Sequence, residues 1–442
     1  MLKLYDIETA RQTILRRPPG LAHITRYSPA VLSGTERLFG PGVTPPEAVS
    51  QILASVLAEG DAALQRWTEK LDRVQLTDFA VPPERLAAAW GALPASLAQA
   101  LEQAVERVRA FHQRQPLPHW ETQELGGTLG QRVTPIHRVG IYVPGGSAPL
   151  FSSLFMAAIP ARVAGVEELI VCTPPAIHDA ILAAAHLCGV RQVFRLGGAQ
   201  AIAAMAFGTE SVPRVDKIVG AGNLFVTLAK QQVYGAVGLD GLAGPTETMV
   251  IADESADPDW VAADLLAQAE HDAMASAILL TPDRALAEAV QAAVARQIET
   301  LSRAEIIALS LEDRGGIVMT PDLDAAAALA NEYAPEHLCL SVAKPRALAG
   351  RISNAGGFFI GERSFEVLGD YVAGPSHIMP TGGTARFASP LNVSDFVKIS
   401  SIIALDDETS RSLSAIAAEL AEVESLTAHA GAARRRVESQ DV

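Results

Sequence analysis

Residues 138–147 read Arg-Val-Gly-Ile-Tyr-Val-Pro-Gly-Gly-Ser. A short apolar run enters a proline and two glycines, which is the pattern of a strand delivered into a tight loop. Outward toward the C-terminus, the pattern repeats. Strand-like runs at 168–173, 192–196 and 217–220 are separated by apolar helical stretches through 163, over 177–188 and from about 200, and a further helix covers 224–234. A second set of the same kind follows, with strands at 248–252, 276–280, 316–319 and 338–342 and helices from 258, over 283–302 and over 322–333. Alternation of this length means βαβ units on parallel sheets. Outward toward the N-terminus, the text is largely helical from about 31 to 135. Pro45-Pro46-Glu47 and Pro82-Pro83-Glu84 put proline in a first helical turn, and Leu97, Leu101, Val105, Val108 and Phe111 keep a helical period.

The fold class expected is therefore α/β, with two tandem Rossmann-like parallel-sheet domains. Residues 1–30 read as a helical arm broken at Arg17-Pro18-Pro19-Gly20. From 391 the text is helical again around a strand-like 399–405. The chain has 442 residues, 49% hydrophobic and 19% charged, which is a globular composition with room for two or three domains. A net charge of −15 argues against nucleic acid or an anionic membrane as partner, because phosphate binding needs basic patches. No uncharged apolar run reaches the length of a membrane span, and the N-terminus lacks the continuous apolar core of a signal peptide. Cys172, Cys188 and Cys339 lie in apolar settings without CxxC spacing, which suits a reducing cytoplasm and no thiolate metal site.

Two stretches carry the chemistry. Leu-Ala-Gln-Ala-Glu-His-Asp at 266–272 places Gln268 and His271 three residues apart on one face of an expected helix, a spacing that can hold a metal. Ala-Pro-Glu-His-Leu at 334–338 places Glu336 beside His337 after a proline; in extended backbone the two would leave on opposite faces and do different jobs. Asp370 precedes a Gly- and Pro-rich loop that contains His377. Gln268, His271, Asp370 and one further histidine would form an N/O site suited to catalytic zinc. Each of these histidines can equally be an ordinary packed side chain, so the case rests on convergence of separate stretches.

Three glycine turns follow strands: Pro144-Gly145-Gly146-Ser147, Gly197-Gly198-Ala199-Gln200 and Gly220-Ala221-Gly222-Asn223. None is a full G-x-G-x-x-G. Such glycines can simply permit tight turns, but their place at the carboxyl ends of successive strands is where parallel sheets take ligands. Cys339, two residues from His337, could serve as a thiolate nucleophile; its apolar strand instead predicts an inert buried thiol.

With these residues set out, the chain resembles the histidinol dehydrogenase family from about 138 to 429. The resemblance rests on RVGIYVPGGSAP at 138–149, GGAQAIAAMAFGT at 197–209, VDKIVGAGN at 215–223, AGPTE at 243–247, LLAQAEHD at 265–272, APEHL at 334–338, GDYVAGPSHIMPTGGTAR at 369–386 and LTAHA at 426–430. It implies oxidation of L-histidinol through its aldehyde to L-histidine, with two NAD molecules reduced in turn. It implies one zinc ion per subunit, held by Gln268, His271, Asp370 and His429, the last reaching the metal of the partner subunit in a homodimer. Glu336 would activate water and His337 would be the general base. Substrate contacts implied are Thr246, Gln268, His271, His337, Asp370, His377, Glu424 and His429, and the NAD positions are Tyr142, Gln200 and Asn223. The expected division is an arm at 1–30, a first α/β domain from 31–140 and 248–390 carrying the metal and catalytic residues, an inserted NAD-binding domain at 141–247, and a dimerisation segment at 391–442. The family's usual Ser is Thr246 here, its Pro is Phe365, its Gly-Pro-Gly-Asn is Gly220-Ala221-Gly222-Asn223, and the Asn before its loop histidine is Ser376. A paralogous zinc and NAD dehydrogenase of another small polar alcohol is the alternative, and Glu424, a partner for a substrate amine, favours the first reading.

Overall fold

The structure is a computed structural model describing residues 2–17, 27–145 and 150–438. Its largest sheet has six parallel strands in the order Leu4–Tyr5, Gly316–Met319, Ser276–Thr281, Glu247–Ala252, His337–Ser341 and Gly357–Ile360. Strands Glu247–Ala252, Ser276–Thr281 and His337–Ser341 are buried at every residue, as continuous apolar runs in a sheet covered on both faces should be. Alternate side chains feed two cores. Val250, Leu279 and Ile317 pack with Val261, Leu265 and Val290 on one face, and Met249, Ile251 and Leu340 pack with Leu329, Ala330 and Tyr333 on the other. Successive strands step from Glu247–Ala252 toward one edge, and the chain then returns to its other side with His337–Ser341.

A second parallel sheet runs Gln192–Arg195, Glu168–Thr173, Arg138–Tyr142, Lys217–Val219, Gly238–Leu239. Its order reverses between Arg138–Tyr142 and Lys217–Val219, the place where doubly wound sheets bind ligands. Both parallel sheets belong to one compact unit, made of the described residues of 1–114 and 137–395.

Several expectations are corrected. Residues 1–30 are not a purely helical arm: Leu4–Tyr5 is an edge strand beside Gly316–Met319, and helix Ile7–Gln12 follows it. The helices Pro45–Glu59 and Asp61–Asp72 do not pack with the 248–390 sheet. Their Val49, Ile52, Leu64 and Trp67 share a core with Tyr142, Ile170 and Ile202 of the second sheet. Periodicity shows that a helix has one apolar face but not which sheet receives it. The single helix expected over 283–302 is Arg284–Gln297 with a 3₁₀ turn, and a separate helix, Ala304–Asp313, follows.

The stretch 115–135 is likewise not helical. With the described residues of 396–442 it forms a smaller unit, a three-stranded antiparallel sheet of Trp120–Thr122, Thr128–Pro135 and Val397–Ala404 followed by helices Asp407–Val423 and Thr427–Glu438. Gly126 and Gly127 both take positive φ, 83° and 87°, in the turn between the first two strands. A Cβ on Gly127 would lie 2.3 Å from the Ala404 carbonyl oxygen, so that turn needs glycine for both conformation and space.

Candidate active site

Helix Leu323–Tyr333 ends at Ala334, which takes the left-handed conformation at φ 53°. That costs a non-glycine residue about 1 kcal/mol, and Pro335 cannot continue the helix. The reversal brings Glu336 to the amino edge of the six-stranded sheet, and the strand begins at His337. Because Glu336 lies in a bend before the strand, strict alternation does not govern it. The two side chains do not leave on opposite faces: His337 Nδ1 is 3.8 Å from Glu336 Oε2.

The Glu247 peptide, opening the neighbouring strand, holds both. Its N–H donates to Glu336 Oε2 at 3.0 Å, and its carbonyl accepts from His337 Nδ1 at 3.2 Å. A carbonyl can only accept, so Nδ1 carries the proton and Nε2 of the neutral ring is the free base. That Nε2 is buried with no hydrogen-bond partner, 4.0 Å from Asp370 Oδ1. Burial pushes the Glu336 carboxyl up to about 7, against the opposing pull of His337 and the bonds from Thr246 and the Glu247 peptide. A carboxyl poised near neutrality suits general-base work.

Thr246 extends the network. Its hydroxyl donates to Glu336 Oε2 at 2.7 Å and therefore accepts from Gln268 Nε2, at 3.0 Å. The Gln268 amide is thereby oriented with its oxygen turned away from Thr246. That Oε1 is buried without a partner, on a residue with no exposed surface. The methyl that Thr246 adds to serine leaves this bonding intact. Helix Pro258–Ala269 is capped by the Asp257 side chain and ends just past Gln268, so His271 lies in the turn beyond it and is not on the helix as expected. His271 is exposed in the chain. Desolvation by its neighbours holds its imidazole below the usual histidine range, against the pull of the Asp370 charge.

Asp370 sits on the short helix Glu366–Tyr371, and its backbone carbonyl accepts from His377 Nδ1 at 2.8 Å. His377 is also held low by burial, with Asp370 opposing. Ser376 is buried and donates to the Met156 carbonyl at 3.0 Å, which ties this loop to the helix after the first glycine turn. Gln268, His271, His337, Asp370 and His377 are thus within one neighbourhood. Glu424 and His429 are carried by the smaller unit, both exposed, Glu424 capping helix Asp407–Val423 and His429 in helix Thr427–Glu438.

Among the described residues, no group of three or more His, Cys, Asp or Glu side chains could hold a metal ion. A metal here would have to count the Gln268 amide, and its orphaned oxygen fits that use. Beside it, His271 and Asp370 offer an imidazole nitrogen and a carboxylate oxygen, donor types that suit zinc.

Glu366 is a site residue that the sequence reading missed, and the charge of Asp264 lies close enough to act on it. Glu366 is fully buried, accepts from the Thr248 hydroxyl, and has Oε1 3.8 Å from His337 Nδ1; burial pushes its carboxyl well above the carboxylate range, and Asp370 adds to that. Burial raises Asp264 to about 7. Each precedes a proposed ligand by four residues on a helix, Glu366 before Asp370 and Asp264 before Gln268, and that i,i+4 spacing was the available signal. Cys339 is buried, and desolvation pushes its thiol well above its ordinary value, so it is not a nucleophile. Cys339→Ala is expected to keep turnover within about twofold of the parent in a steady-state assay, because only packing changes.

On the second sheet, Tyr142 is buried with its hydroxyl accepting from the Gly198 N–H at 3.0 Å, and desolvation lifts its phenol to about 12. Gln200 donates to Asp72 Oδ2 at 3.1 Å and leaves a buried Oε1 unpaired. Asn223 caps helix Leu224–Val233 through Oδ1. Gly220 has φ 105°, and a Cβ there would come 2.3 Å from the Tyr142 carbonyl oxygen. Tyr142, Gln200 and Asn223 therefore stand at the strand ends around the sheet's reversal point, while Gly146 and Ser147 of the first glycine turn lie outside the described residues.

A family profile described as histidinol dehydrogenase matches residues 44–437. The chain belongs to the histidinol dehydrogenase family. It is 52% identical to the histidinol dehydrogenase of Thermus thermophilus, over 89% of this chain and 94% of that protein. It is 51% identical to that of Methylococcus capsulatus, over 88% and 91%. The crystal structure of histidinol dehydrogenase from Elizabethkingia anophelis superposes with a TM-score of 0.89 at 33% identity, covering 99% of this chain and 98% of that one. The α/β architecture is thus that of a histidinol dehydrogenase.

Proposed function

We propose that the chain oxidises L-histidinol to L-histidine through the aldehyde, reducing two NAD⁺. In the first step the alcohol loses a proton and a hydride to give aldehyde and NADH. In the second, water adds to the aldehyde and the hydrate loses two protons and a hydride, the hydride going to a second NAD⁺, to give carboxylate and NADH. The observation that carries this reading is the joint clamp of Glu336 and His337 by the Glu247 peptide, which leaves one free basic nitrogen beside a carboxyl poised near 7.

His337 Nε2 takes the proton of the alcohol and later that of the hydrate, since both hydride losses need it. Glu336, once ionised, takes a proton from the attacking water. Zinc held by Gln268, His271, Asp370 and the His429 of a second copy would supply Lewis acidity that lowers the pKa of a nearby hydroxyl. Glu424 would pair with the substrate amine, and Thr246, His377 and the remaining ligands would orient the substrate. NAD would lie at Tyr142, Gln200 and Asn223.

A homodimer is supported by the smaller unit, where Ile399 and Ile403 on its sheet and Leu413, Ile416, Leu420 and Val423 on its helix are exposed apolar side chains. Among the described residues, no helix is long and apolar enough to cross a membrane. The three cysteines are free, which suits a reducing compartment such as the cytoplasm. The direct test counts NADH formed per histidinol consumed. About two, lost on chelation and restored by zinc, is the expected result. One NADH with released aldehyde would overturn the second step, and none on histidinol with turnover of another amino alcohol would favour a paralogous dehydrogenase.

A further inference from the structure

We infer that Arg17, on the N-terminal segment, is a positioning residue for Glu336 and His337, acting through Glu247; the inference rests on the acid–base role proposed for that pair. The guanidinium spends its donors on the two segments that frame the pair. Nη1 and Nη2 form a bidentate bond with the Glu247 carboxylate at 2.5 and 2.7 Å, with the Glu247 side chain 7% exposed. Nε donates to the Tyr333 carbonyl at 2.8 Å, and Nη2 also reaches the Ala334 carbonyl at 3.4 Å. The planar group stacks 3.8 Å over the Tyr333 ring.

Glu247 is the residue whose own peptide bonds Glu336 and His337, and Ala334 is the left-handed residue two positions before Glu336. Arg17 therefore joins the start of one strand to the strained turn that delivers the other. A strained residue persists only where its surroundings over-determine it. The same carboxylate also accepts from the Gly382 N–H at 3.2 Å, which brings the 369–386 motif under the same anchor. No other element supplies a cation to Glu247 among the described residues. Lysine could keep the charge but not the fork, the stack and both carbonyl bonds at once.

The test compares Arg17→Lys and Arg17→Ala in the full-length enzyme with zinc and NAD, each rate divided by the folded fraction from circular dichroism. Misplacing reacting groups by about an ångström costs up to about a hundredfold. The expected kcat losses are therefore about tenfold for Lys and about a hundredfold for Ala, in both the alcohol and the supplied-aldehyde steps, with KM for NAD unchanged. Millimolar guanidinium should restore part of the Arg17→Ala rate. A purely structural Arg17 would lower thermal stability and leave kcat per folded molecule at the parent value, and that result overturns the inference. If Arg17→Ala does not fold, Arg17→Lys decides by the same reading. Glu336→Gln and His337→Asn are measured alongside. If they turn over like the parent, the role of the pair and this inference fall together; if they fail while both Arg17 variants keep full kcat, the Arg17 inference alone is wrong.

Discussion

Replacing His337 by Asn is expected to lower kcat for both oxidation steps by about a thousandfold, within the range lost when a positioned general base is removed. Asparagine keeps a donor where Nδ1–H meets the Glu247 carbonyl but offers no base where Nε2 stands, so folding should survive while proton removal does not. Glu336→Gln should behave differently. It spares the alcohol step within about tenfold and reduces oxidation of supplied aldehyde by about a hundredfold or more, because only that step consumes an activated water. In the parent, the aldehyde step should rise with pH through about 7, since the buried carboxyl must ionise to accept a proton and burial holds it at that value. In Glu336→Gln that limb should vanish. Stopped-flow NADH formation from histidinol and from histidinaldehyde separates the steps. Normal aldehyde oxidation by Glu336→Gln would remove the water-activating role from this residue.

The second large effect concerns the smaller unit. Deleting 424–442 is expected to abolish activity and zinc retention together, and His429→Asn should do the same without removing the helix. Mixing His429→Asn with His337→Asn provides the sharper reading. If His429 completes the site of a second copy, subunit exchange should restore about a quarter of parent activity, because half the dimers are mixed and each has one intact site. If each site is built within one chain, a mixed dimer still contains no intact site and stays inactive. A truncated dimer that kept stoichiometric zinc would exclude His429 as a ligand.

Much of this architecture is legible in the residues because the local signals agree. Apolar runs such as 249–252 are continuous since parallel strands are buried on both faces, and Asp257-Pro258 announces the helix that ends at Ala269, just past Gln268. The missed pieces are those in which the partner decides. Residues 128–135 hold no strong strand period, and they become a strand because Val397–Ala404, more than 260 positions later, pairs along them; Trp120–Thr122 then pairs with their other edge. The helix 45–59 shows its apolar stripe plainly, yet only packing reveals that the stripe meets the second sheet.

The same division runs through the site. The sequence by itself determined which residue types are available: a Gln and a His three apart, a Glu–His pair after proline, an Asp before a rigid loop, and glycines at strand ends. Short-range geometry and side-chain chemistry are local properties, so they survive in the text. Only the tertiary structure decided that Glu336 and His337 converge and do not diverge, that both hang on the backbone N–H and carbonyl of Glu247, and that Glu366 and Arg17 stand behind them. These groups sit at the amino edge of the sheet, not at the carboxyl ends where parallel sheets usually take ligands. Contacts across 89 and 90 residues depend on which buried surfaces match, and that matching is a property of the assembled core that no single stretch contains.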